Sequence, residues 1–102
     1  MAAARPAAQP TELLDDHAVR VTRFDFAPGA ETGWHRHGLD YVIVPMTACR
    51  MLLEEKGGER RADMAAGAAY RRDAGVEHNV VNGGEAPMAF IEIEIKRDST
   101  AR

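Results

Sequence analysis

Apolar and polar side chains alternate with a period of two over much of this chain, the spacing of half-buried β-strands. The clearest case is Met88-Ala-Phe-Ile-Glu-Ile-Glu-Ile-Lys96. There Ile91, Ile93 and Ile95 share one face of an extended strand, and Glu92, Glu94 and Lys96 share the other. Val19 to Ala27 is also β-rich, with Val19 and Val21 on one face and Phe24 and Phe26 on the opposite one. That switch of apolar face predicts a twist or bulge, or a strand buried on both sides. Tyr41 to Val44 reads as a strand ended by Pro45, and Trp34 to His37 as a short one before it. Arg50 to Glu55 and the short, charged Arg60 to Asp63 flank Lys56-Gly57-Gly58-Glu59, a hairpin turn with an edge strand after it. Further strands are predicted at Ala68 to Arg72 and His78 to Asn82, each bounded by glycine-containing turns. No stretch has the 3.6-residue period of an amphipathic helix. Many short strands with turn signals every eight to twelve residues predict an all-β sandwich or small barrel.

The ends break the pattern. Residues 1–10 are rich in alanine and proline, and Thr11 to Asp16 fits either one helical turn or a brief strand. The organisation read from this is a partly flexible N-terminal arm at 1–18, a β-barrel domain at 19–96 and a polar C-terminal tail at 97–102. A length of 102 residues allows one core. A net charge of −3 argues against nucleic acid as a partner. No apolar run approaches the ~20 residues that span a bilayer, so no membrane partner is expected. The first residues lack the basic and apolar regions of a secretory signal. Cys49 is the single cysteine and cannot form an internal disulfide, which fits a cytoplasmic setting.

The candidate chemistry lies at Trp34-His35-Arg36-His37. Two histidines at i and i+2 on a strand point the same way, and His78 comes about forty residues later. Neutral imidazole suits zinc, copper, iron and nickel. Three such ligands converging leave open positions for water or substrate. The alternative for His35 and His37 is a pair of surface histidines on an exposed strand. His17, after Asp15-Asp16, reads as an exposed loop histidine.

These segments resemble the two motifs of the cupins, small double-stranded β-helix (jelly-roll) barrels. Gly29 or Gly33 precedes His35-Arg36-His37, as in the first motif. Gly67, Gly75, His78 and Asn82 fall at the spacings of the second, with Asp73 where proline is expected. The resemblance covers residues 19–96 and implies a cupin-type fold with a divalent metal ion. The family's glutamate ligand would stand at Tyr41 or Val42, and neither is a carboxylate. Asp40 has the wrong strand parity unless a bulge turns it inward. The implied ligand set is therefore His35, His37 and His78, with Tyr41 placed to hydrogen-bond a water or substrate as a catalytic residue. Three-histidine iron sites in the family resemble thiol and β-diketone dioxygenases, so Fe(II) is the expected metal, with zinc, nickel or manganese as alternatives. The chain is also similar to small single-domain cupins found with β-alanine catabolism. That implies a metal-dependent, dioxygenase-like oxidoreductase acting on a small carboxylate or carbonyl metabolite. The rival is a non-catalytic small-ligand binding or sensor cupin. A homodimer is expected. Arg71 or Arg72 is a candidate carboxylate clamp, against the alternative that both are solvated or paired with Glu92 or Glu94. Glu77 reads as structural, Trp34 as core or a dimer contact, and Met46, Met51, Met64 and Met88 as core filler.

Overall fold

The computed structural model describes residues 4–96. The tail expected at 97–102 lies outside them. The described residues form strands and no helix: β1 Gln9–Asp15, β2 Val19–Phe26, β3 His35–Arg36, β4 Asp40–Pro45, β5 Cys49–Glu55, β6 Gly58–Met64, β7 Tyr70–Arg72, β8 Glu77–Asn82 and β9 Met88–Ile95. They make a five-stranded sheet ordered β1-β2-β9-β4-β7 and a four-stranded sheet ordered β3-β8-β5-β6. Every strand pairing is antiparallel. The chain passes repeatedly from one sheet to the other, giving the all-β double-stranded β-helix that the sequence predicts.

Side-chain alternation builds the core between the sheets. Along β4, Tyr41, Ile43 and Pro45 are buried and the residues between them are half-exposed. Along β5, Cys49, Met51 and Leu53 do the same. Phe26 and Phe90 meet in a tilted pair with centroids 5.3 Å apart, a geometry worth roughly 0.5–1.5 kcal/mol beyond area burial. Of the methionines, Met51 and Met88 fill this core, whereas Met46 is exposed. Trp34 is 53% exposed and is not a core residue.

β9 alternates as predicted, but with an unusual sense. Phe90, Glu92 and Glu94 face the interior, and Ile91, Ile93 and Ile95 are half-buried on the outer face. Glu94 is neutralised there by Arg20 of β2, whose Nε donates to it at 2.7 Å. The change of apolar face along β2 is not a bulge in that strand, since its register with β9 runs unbroken from Val19 to Phe26. The inner face of β2 is simply polar at Arg20 and Thr22 and aromatic at Phe24 and Phe26. The irregularity falls on β1, between Glu12 and Leu14. Thr11 to Asp15 is thus part of a strand, not a helical turn.

The residues before β1 are tied to the barrel. Ala8 N donates to Glu31 O at 2.8 Å and Glu31 N to Pro6 O at 2.9 Å. The segment around Glu31 in turn lies along β8, with Asn82 N donating to Ala30 O and Thr32 N to Val80 O.

Candidate metal centre

β3 and β8 are neighbours in the four-stranded sheet, and their register sets His35 opposite His78. Gly33 and Gly75 stand just before these histidines with φ of 89° and 100°. Residues with a Cβ rarely adopt that conformation, so these glycines let the chain turn sharply into each histidine strand. Beyond β3 the pairing continues, with His37 N donating to Val76 O and Gly75 N to His37 O. His37 therefore stays in line with His35 and faces the same way.

The three imidazoles converge. His37 Nε2 lies 3.0 Å from His35 Nε2 and 3.1 Å from His78 Nε2. His35 Nδ1 is 2.8 Å from Gly33 O. A carbonyl only accepts, so Nδ1 carries the proton and Nε2 offers a bare lone pair. A proton on one of three clustered nitrogens cannot satisfy all of them, whereas a cation accepts all three lone pairs. The donor set fits a divalent metal ion. Burial pushes His37 down to about 4 and His78 to about 3, helped by the neighbouring imidazoles. Both are thus neutral, the ligating form, at neutral pH.

Tyr41 projects inward from β4 and stacks on His37, with ring centroids 3.8 Å apart. Its hydroxyl is buried without a hydrogen-bond partner among the described residues. Burial pushes the phenol above its ordinary range, so it stays protonated. Asp40 points elsewhere: its Oδ1 accepts from Ala74 N at 2.8 Å, and it is not part of the histidine group. Neither Arg71 nor Arg72 reaches the site. Arg71 pairs with Asp73 at 2.8 Å, and Arg72 lies 3.8 Å from Glu55 rather than beside Glu92 or Glu94. Glu77 is held by Lys56. Cys49 is buried, and burial raises its thiol.

The histidines form one wall of a cavity of about 540 Å³ between the two sheets. Tyr41, Tyr70, Phe24 and Phe90 also line it, and Arg20 and Arg36 are the arginines on its walls. Glu92 enters from β9, with Oε1 3.9 Å from His37 Nδ1. Burial pushes the Glu92 carboxyl up to about 7, with Glu94 raising it further and Arg20 opposing.

Behind His35 lies a network that spacing alone does not reveal. Asn79 Oδ1 accepts from Gly33 N at 2.9 Å. Its Nδ2 donates to Glu31 and Glu54 at 2.8 and 2.9 Å. Arg5, from the segment before β1, donates to both carboxylates. The one signal in the sequence is parity: Asn79 follows His78 on the same strand, so it faces away from the cavity. Asn82 has a separate structural role, donating to Ala86 O and accepting from Gly84 N.

A cupin domain model matches residues 22–94. The chain is 55% identical over 92 residues to the β-alanine degradation protein BauB of Pseudomonas aeruginosa, covering 90% of this chain and 97% of that protein. A cupin domain from Bordetella pertussis superposes with a TM-score of 0.91 at 48% identity, covering 94% of this chain and all of that one. A double-stranded β-helix protein from Klebsiella pneumoniae shares the fold, with a TM-score of 0.75 at 16% identity over 93% of this chain and 82% of that one. This chain belongs to the cupin family.

Proposed function

We propose that the protein is a metal-dependent, dioxygenase-like oxidoreductase acting on a small carboxylate or carbonyl metabolite, in β-alanine degradation or a related route. The observation that carries the reading is the convergence of three Nε2 atoms on the wall of a cavity between the sheets. The similarity to BauB supports the metabolic setting. In this reading His35, His37 and His78 hold a divalent ion, Fe(II) before zinc, nickel or manganese. Bound Fe(II) supplies a Lewis acid with one-electron redox chemistry toward O₂.

The chain's own residues do the rest. Three neutral ligands leave the ion's double positive charge uncompensated, which favours an anionic substrate. Tyr41 keeps its proton and presents a hydroxyl with no protein partner, a donor for the bound substrate or a water. Phe24, Phe90 and Tyr70 give the cavity an aromatic wall for the carbon skeleton of a ligand. The protein acts in the cytoplasm, a setting that the free, buried Cys49 supports. It works as a homodimer.

The test uses protein purified without a histidine tag. Metal analysis is expected to find about one divalent ion per chain, and His78→Ala to lose it. Full metal content in folded His78→Ala protein would sink the site. Anaerobic Fe(II) loading followed by substrate-dependent O₂ uptake supports the enzyme. A redox-inert ion with no uptake supports a binding module instead.

A further inference from the structure

The inward carboxylates of β9 are not accounted for by the three histidines. A strand that turns two glutamates into a barrel and three isoleucines out of it inverts the usual preference. Glu94 has a cation, because Arg20 donates to it at 2.7 Å. Glu92 has none. Among the described residues it makes no hydrogen bond, and its Oε1 lies 3.9 Å from His37 Nδ1. Its side chain is only 12% exposed, so it faces the cavity and not bulk solvent. Tyr41, 1% exposed, lines the same space, and its hydroxyl also lacks a partner. Two polar groups of the cavity without hydrogen-bond partners, one stacked on the His37 ring and the other near its Nδ1, point to a ligand that supplies partners for both.

The cavity is bipolar. On one side three Nε2 atoms converge on a space that suits a cation and, through it, an anionic ligand group. Beyond the Nδ1 edge of His37 stands an acidic wall, Glu92 with Glu94, and Glu12 near the same opening. One imidazole ring joins the two poles, its Nε2 turned to the histidine cluster and its Nδ1, on the other side of the same Cε1, toward Glu92.

We infer that the cavity selects a short ω-amino acid, with its carboxylate toward the three-histidine metal and its ammonium group on Glu92. The inference rests on the metal-site reading above and adds the substrate class to it. Glu92 is then a specificity-determining residue that touches the ligand, with Arg20 holding Glu94 so that Glu92 is the inward carboxylate of β9 left without a cation. A simple monocarboxylate fills only one pole, and a simple amine only the other.

The probes are β-alanine, propionate and propylamine, titrated into protein loaded with Co(II), whose visible spectrum reports changes at the ion. β-Alanine is expected to bind at least about tenfold more tightly than propionate, one charge-assisted contact's worth. Propylamine is expected to leave the spectrum unchanged. In Glu92→Gln, near-isosteric and uncharged, the preference for β-alanine disappears while Co(II) and propionate affinities stay within about twofold. Glu92→Asp keeps the charge and part of the preference. Equal binding of β-alanine and propionate by the unaltered protein overturns the inference, and so does a preference that survives in Glu92→Gln. Loss of Co(II) from folded Glu92→Gln also overturns it, by assigning the carboxylate to the ion. Co(II) binding with no response to any probe removes the ligand class and leaves the metal site standing. Failure of Co(II) to bind the unaltered protein removes the metal-site reading itself.

Discussion

Burial keeps the histidines in the form that ligates. His37 and His78 are 6% and 5% exposed, and an imidazolium there would be charged, poorly solvated and beside other imidazoles. Both folded values lie below the ordinary 6.5, so the unfolded chain binds more protons than the folded one once the pH falls below 6.5. Their stabilising contribution is therefore complete above pH 6.5 and is lost as the pH falls toward about 4 and then 3. Metal-free protein should lose on the order of several kcal/mol of unfolding free energy on this account, a large share of a small domain's margin. Urea unfolding of chelator-treated protein between pH 7.5 and 4.5 checks it, and a flat profile would contradict a buried, neutral His37 and His78. Tyr41 gives a second residue-level prediction. Its hydroxyl is already without a partner in the unliganded protein, so Tyr41→Phe should leave stability unchanged or raise it by up to about 1 kcal/mol. If the hydroxyl meets substrate, turnover should fall by roughly tenfold or more, the worth of one hydrogen bond to a charged group. A kinetically silent Tyr41→Phe would reduce Tyr41 to a stacking surface for His37.

At the level of elements, the histidine strands are held from behind. The chain of contacts runs from Arg5 through Glu31 and Glu54 to Asn79, then to Gly33 N, and from Gly33 O to His35 Nδ1. Such contacts fix the tautomer and orientation of a ligating imidazole, and losing one typically costs 10- to 100-fold in metal affinity. Asn79→Ala should weaken metal binding by about that factor, and Arg5→Ala by less, because the Arg5 side chain is 37% exposed and its ion pairs are screened. Calorimetric metal titration of the two variants tests the order, and equal, unchanged affinities would contradict the chain of contacts. None of this network can be read from the sequence, since it joins residues 5, 31, 54 and 79 through the fold alone. The convergence of His35, His37 and His78 is legible because two of them sit at i and i+2 and the third lies at a recognisable spacing from Gly75. The strands are legible for a related reason: a period of two is local. What that period cannot give is the sense of a strand. It separates Ile91, Ile93 and Ile95 from Glu92 and Glu94 but does not say which set faces inward. In β9 the polar set does, because the interior there is a cavity rather than a packed core. The β1 irregularity was equally hidden, and the change of apolar face in β2 reflects a strand largely half-buried on both faces rather than a bulge.

The inversion of β9 also sets the outer surface of the whole molecule. With its glutamates inside, the five-stranded sheet carries an aliphatic outer face. In register across four strands stand Leu14, Val21, Ile93 and Val42. Ile91 with Val44, and Ile95 with Val19, extend the patch on either side. Among the described residues no strand of the second sheet lies on this side, and Leu13 and Leu14 are 53% and 47% exposed. An apolar patch of this kind, rimmed by Arg23, Asp40 and Arg71 in the same rows, marks an association surface, because leaving it wet forfeits the free energy of burying it. A second copy is the proposed occupant, since a two-fold axis through the sheet would lay each aliphatic row on its equivalent. Sedimentation at micromolar concentration should give twice the mass of the chain. Ile93→Arg puts a charge at the centre of that row, at a half-buried position outside the core, so the barrel should still fold. It is expected to sediment as a monomer with its metal content and cavity intact. A monomeric unaltered protein would remove the pairing, and a dimeric Ile93→Arg would move it to another face. The histidine cavity opens between the sheets, away from this surface, so the two tests are independent: dissociation should change the oligomeric mass and leave metal affinity where it was.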